Sequence, residues 1–135
     1  MICPFCGMPI ENALHRALNG IQTNPPIVIT NIDYVIEVGN KIATIIEEKH
    51  TKRHFGKIYQ LITLKRVARA LDVPLLVVFV DDLLDEITVY NVPTNRRFPA
   101  KRFYNFEKDD PLFIGDYEEF GEFILDNFIY AQTWR

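Results

Sequence analysis

The sequence predicts an α/β domain, a mixed β-sheet flanked by helices, and three consecutive runs carry that expectation. Between Asn31 and His50, two segments rich in β-branched residues flank Gly39-Asn40, the pattern of an antiparallel hairpin. From Ile58 to Leu71 the apolar positions Ile58, Leu61, Leu64, Ala68 and Leu71 recur at helical spacing, and Asp72-Val73-Pro74 ends the run. Leu75 to Asp81 follows as a continuous apolar strand of the kind covered on both faces. Strand, strand, helix, strand in that order implies a mixed sheet with the helix crossing over it.

The rest of the chain divides around these runs. Residues 1–8 contain the Cys-x-x-Cys turn Cys3-Pro4-Phe5-Cys6, and 9–92 form the core of one domain. A first helix, Glu11 to Leu18, turns Ala13, Leu14, Ala17 and Leu18 inward, with Glu11 at the positive end of its dipole. Beyond Asp81, a short turn bearing Asp82, Asp85 and Glu86 leads into a strand from Ile87 to Val92, ended by Pro93. Residues 93–115 show little periodicity and read as an irregular basic and aromatic arm. Helical spacing returns in 116–130, an acidic amphipathic helix that either closes the core or meets its copy in a homodimer.

The most informative chemistry sits on the hairpin. Side chains alternate along a strand, so Glu47 and Lys49 share one face while Glu48 points away. A strict two-residue loop at Gly39-Asn40 would set Asp33 against Ile46. A three-residue loop or a single bulge instead brings Asp33 opposite Glu47, with Cβ atoms roughly 5 Å apart. That register sorts Ile32, Tyr34, Ile36, Val38, Ile42, Thr44 and Ile46 onto one face, and Asp33, Val35, Glu37, Ala43, Ile45, Glu47 and Lys49 onto the other. Two carboxylates so close call for a cation, and hard oxygen ligands with room for water suit Mg²⁺ or Mn²⁺. An ammonium beside such an ion points to metal-assisted phosphodiester hydrolysis.

Charge fits that chemistry once divided along the chain. The net charge is −3, yet residues 1–106 carry thirteen Lys and Arg against ten acids, while 107–135 carry two against eight. Lys49 to Leu71 holds seven cations and no acid, among them Lys52, Arg53, Lys57, Lys65, Arg66 and Arg69. Arg96, Arg97, Lys101 and Arg102 form a second cluster interleaved with Phe98, Phe103, Tyr104 and Phe106. Both clusters are candidates for phosphate contact, and the aromatic rings for stacking on unpaired bases.

Asp33, then Glu47-x-Lys49 at the end of the next strand, then a helix with Gln60 in its first turn, then a buried strand, resembles the PD-(D/E)xK nuclease superfamily. Within it, the pattern is most like archaeal and viral Holliday-junction resolvases. The resemblance covers roughly residues 9 to 81, with Asn31-Ile32-Asp33 where the superfamily is named for Pro-Asp. It implies a restriction-endonuclease-like fold with an α-β-β-β-α-β core. It also implies metal binding by Asp33 and Glu47, service of the attacking water by Lys49, a supporting role for Gln60 and an outer one for Glu11. The function so implied is a Mg²⁺-dependent DNA endonuclease selective for branched structure. A sequence-specific nuclease of restriction or homing type, acting on duplex DNA, and a non-catalytic nucleic-acid-binding protein on the same fold are the alternatives.

Cys3 and Cys6 supply half of a structural Zn²⁺ site. Three completions are open: His50 and His54 of the same chain, the matching pair of a second subunit, or no metal. No run is long enough to cross a bilayer and the amino terminus lacks the layout of a signal peptide, so a soluble, cytoplasmic protein without a membrane partner is expected.

Overall fold

Strands β1 (Tyr34–Val38) and β2 (Lys41–Lys49) form the expected antiparallel hairpin. Gly39 adopts a φ of 61°, the first position of a two-residue loop across which Val38 faces Lys41. Left uncorrected, so tight a loop would misplace Asp33. The ladder shifts between Ile36 and Glu37: Glu37 faces Ile42 but Ile36 faces Thr44, so Ala43 is an extra residue on β2. Tyr34 then faces Ile46, and the next step in this register sets Asp33 opposite Glu47. The bulge also exchanges two side chains relative to strict alternation, since Ile42 packs on the helix side of the sheet and Ala43 on the other.

The computed structural model describes residues 17, 18 and 30–129. The chain divides into two compact units, residues 1–31 and 32–135, and the sheets and helices described all belong to the second.

After β2 comes a short strand β3 (Phe55–Lys57), then helix α1 (Ile58–Leu71) and strand β4 (Leu75–Asp81), which runs parallel to β2. Strand β5 (Glu86–Val92) returns antiparallel to β4. Two further strands follow, β6 (Phe103–Asn105) and β7 (Phe113–Gly115). The main sheet is mixed and five-stranded, in the order β1-β2-β4-β5-β7, and β3 pairs with β6 in a separate two-stranded ribbon. The segment 93–115 is therefore less irregular than its sequence suggests. Three-residue strands are too short to show a period, and burial of Tyr104 and Phe106 outweighs the flanking prolines.

One hydrophobic core lies between the sheet and α1, which buries Ile58, Leu61, Leu64 and Ala68 against Ile45, Val77, Phe79, Tyr90 and Phe106. Leu71, expected on that stripe, is 43 % exposed. Asp72 takes a left-handed φ of 57° and reverses the chain, so Val73 enters the core in its place. The second core covers the other face, where Ala43, Ile46, Leu76, Val78 and Val89 meet helix α2 (Tyr117–Ile124) and the π-helical turn Leu125–Ile129. Asp116 and Glu119 cap α2 reciprocally, each accepting from the other's backbone N–H. The acidic helix thus closes the core through Ile124 and Phe128. Among the described residues no helix is long and apolar enough to cross a membrane.

Candidate catalytic site at the end of strand β2

Strand alternation carries Glu47 and Lys49 to the helix-side face of the sheet, where the first turn of α1 presents Gln60 to both. Lys49 Nζ lies 3.2 Å from Glu47 Oε1 and donates to Gln60 Oε1 at 2.9 Å. Gln60 Nε2 in turn donates to Glu47 Oε1 at 3.0 Å, closing a three-membered ring of side chains. Asp33 joins from the residue just before β1, its Oδ2 accepting from the Glu48 backbone N–H at 2.8 Å. The structure brings Asp33, Glu47, Lys49 and Gln60 together.

The electrostatics of this cluster are strained in one direction. Glu47 is only 4 % exposed, and burial pushes its carboxyl up to about 7 from the ordinary 4.5. Lys49 opposes the rise, while Asp33 adds to it both by charge and as a hydrogen-bond partner that only a protonated carboxyl can serve. Glu47 Oε2 is buried with no N–H or O–H donor in reach, although Oε1 has two, and the Asp33 carboxyl beside it can satisfy it only by sharing a proton. A buried oxygen of this kind beside a second carboxylate is what a cation would satisfy.

Among the described residues no three His, Cys, Asp or Glu side chains gather as a metal cage. The donor set on offer is two carboxylates open toward solvent at Asp33. That set fits Mg²⁺ or Mn²⁺, which keep several waters and take one or two carboxylates plus substrate phosphate, better than Zn²⁺. Glu11, Cys3 and Cys6 lie outside the described residues. His50 and His54, considered as zinc partners for the cysteines, have separate engagements on opposite faces of the sheet. His50 bridges Asp82 at 2.9 Å and Glu48 at 3.2 Å, contacts that raise its pKa, the Asp82 hydrogen bond foremost. His54 stacks on Phe79 at 4.5 Å and pairs its Nδ1 with the Tyr90 hydroxyl at 2.8 Å, and burial lowers its pKa.

The ten basic residues singled out for nucleic acid separate into two groups. Lys52, Lys57, Arg66, Arg69, Arg97, Lys101 and Arg102 are exposed or partly so. Three others hold the fold together. Arg53 makes a bidentate pair with Glu107 at 2.8 and 3.0 Å, Lys65 donates to the Arg96 carbonyl at 2.7 Å, and Arg96 binds the Tyr104 hydroxyl and Asp109 at 2.7 and 3.1 Å. Tyr104, itself donating to Asp109 at 2.6 Å, is pushed up to about 12, chiefly by burial.

Sequence reasoning missed the His50 clamp between Glu48 and Asp82, the His54–Phe79–Tyr90 stack and the Glu107 anchor. Their partners lie up to 54 residues apart, and no local spacing announces them. On the reverse face of the sheet, Tyr34, Ile36, Ile46, Val78, Phe120 and Ile124 help line an apolar cleft of about 680 Å³, also unforeseen. No protein-family model, curated protein or solved structure matches the chain.

Proposed function

We propose that the chain is a metal-dependent endonuclease of the PD-(D/E)xK kind, hydrolysing phosphodiester bonds in DNA at Asp33, Glu47 and Lys49. One observation carries the reading: a buried carboxylate whose second oxygen has no donor, next to another carboxylate and within 3.2 Å of an amine. When bound, Mg²⁺ or Mn²⁺ supplies a more acidic water and offsets charge on the phosphoryl oxygens.

The protein's own groups do the remainder. Asp33, fixed by the Glu48 N–H, and Glu47, fixed by Gln60, are the two residues that would hold the ion. Gln60 holds the Lys49 ammonium through an acceptor independent of Glu47, so the positive charge would remain at the site to steady a reacting phosphate or its water. The mixed sheet, with β2 parallel to β4 and α1 crossing between them, supports a restriction-endonuclease-like arrangement of these groups. Branched DNA is the preferred substrate in this reading, cleaved by a homodimer that offers one site per strand.

The test is a nicking assay with Mg²⁺ or Mn²⁺ on four-way junctions, flaps, duplex and single strands. Cleavage of branched DNA, abolished by Glu47→Ala and by Lys49→Ala with binding retained, is the expected result. Calcium should permit binding without hydrolysis. Absence of metal-dependent cleavage on all four substrates would reject the nuclease.

A further inference from the structure

The β3–β6 ribbon has two faces of different character. Opposed residues of an antiparallel pair share a face, so Gly56 and Tyr104 form one side, and Phe55, Asn105, Lys57 and Phe103 the other. The first side is the inner one. A Cβ on Gly56 would come within 3.1 Å of both Leu61 and Phe106, and Tyr104 is buried. The second side faces outward with Phe103 46 % exposed, the Arg102 guanidinium 5.4 Å from its ring and the Arg53 guanidinium 5.0 Å from the ring of Phe55.

An exposed ring, Phe103, and a half-buried one, Phe55, each beside an arginine on this side, differ from the aromatic residues that pack inward. Two acids that follow the ribbon are already engaged: Glu107 binds Arg53, and Asp109 binds Arg96 and Tyr104. Among the described residues Lys57 and Arg102 enter no ion pair, so the outward face is cationic as well as aromatic. Lys57 also occupies the position just before α1, three residues before Gln60. One helical turn therefore separates this face from the candidate catalytic side chains.

We propose that the outer face of the β3–β6 ribbon is a stacking platform for an unpaired strand of DNA, with Phe103 under a base and Lys57 and Arg102 on the adjoining phosphates. The proposal deepens the nuclease reading, on which it rests for the choice of DNA, by naming the substrate class as DNA with an unpaired segment beside the scissile bond. Every base has a π-face, so such a platform selects for single-strandedness rather than sequence, and cations supply the salt-dependent part of the affinity.

The experiment measures affinity of the full chain in Ca²⁺ for an oligothymidylate, a matched oligouridylate and a blunt duplex, at several salt concentrations. The oligothymidylate should bind most tightly. Phe103→Ala and Phe103→Leu should each weaken it about tenfold or more while duplex affinity stays unchanged, and Phe103→Trp should restore it. Lys57→Ala and Arg102→Ala should each lower the salt slope by roughly one. Equal affinity of single strand and duplex, indifference to Phe103, or preference for the oligouridylate overturns the proposal. Because hydrolysis is not the readout, a chain that binds through Phe103 but never cleaves refutes only the nuclease, and one that cleaves regardless of Phe103 refutes only the platform.

Discussion

Replacing Glu47 with Gln should make the protein more stable at alkaline pH and insensitive to Mg²⁺. The wild-type carboxyl is raised from 4.5 to about 7, so its ionised form is disfavoured in the fold. A group displaced in that direction contributes its stability fully below pH 4.5 and loses it as pH rises through about 7. At about 1.4 kcal/mol per tenfold change in proton affinity, the ceiling is about 3 kcal/mol. The site opens to solvent at the exposed Asp33, and screening brings this to about 1–2 kcal/mol. For a chain of this length each kcal/mol moves Tm by roughly 3–5 °C. Glu47→Gln, the neutral isostere, should match wild type near pH 4.5 and exceed it by roughly 3–10 °C at pH 8. Saturating Mg²⁺ at pH 8 should raise the wild-type Tm, with about 2.7 kcal/mol available at a hundredfold excess over Kd, and leave Glu47→Gln unmoved. Thermal melts from pH 4 to 9, with and without Mg²⁺, read both effects. Parallel pH curves for the two proteins, or equal Mg²⁺ stabilisation of both, would exclude Glu47 as the buried group that titrates and holds the ion.

Lys49→Met should reduce metal-dependent cleavage by about a hundredfold or more while leaving Mg²⁺-induced stabilisation in place, as judged by initial rates and by melting. In proton NMR, His50 should titrate above its ordinary value and His54 below it, because the Asp82 hydrogen bond favours the charged form of the first while burial disfavours that of the second. Asp82→Asn should return His50 toward its usual value and leave His54 unchanged. The His50 contribution to stability is complete below pH 6.5 and disappears as pH climbs through its raised folded value, so Asp82→Asn should narrow the stability difference between pH 6 and pH 8 in urea unfolding. Phe106→Ala, which empties a fully buried position between Phe79, Tyr90 and Tyr104, should cost about 3–5 kcal/mol in the same assay. Leu71→Ala, at an exposed helix end, should cost far less.

The hairpin, α1 and β4 were legible because each is long enough for its period to show. Seven consecutive strand residues from Leu75 to Asp81, and four apolar positions on one side of α1, leave little freedom in assigning either. The pairing of Asp33 with Glu47 was legible only as a condition, since the sequence does not say where a bulge falls. Ala43 supplies it, a small side chain at the position left without a partner. The ribbon was not legible at all. Its strands are three residues long and separated by 45 residues, and they are held by contacts such as Gly56 against Leu61 and Phe106 that no local pattern encodes. Charge was legible as composition but not as availability. Arg53, Lys65 and Arg96 read as free cations until their partners Glu107, the Arg96 carbonyl and Asp109 are seen.

The most direct measurement of the central claim is an anomalous difference map from crystals of the chain soaked in Mn²⁺ at pH 8. A single strong peak between the Asp33 and Glu47 carboxylates, lost in Glu47→Gln crystals, is the predicted result. Manganese bound elsewhere, or none at these two side chains in well-ordered wild-type crystals, would contradict it.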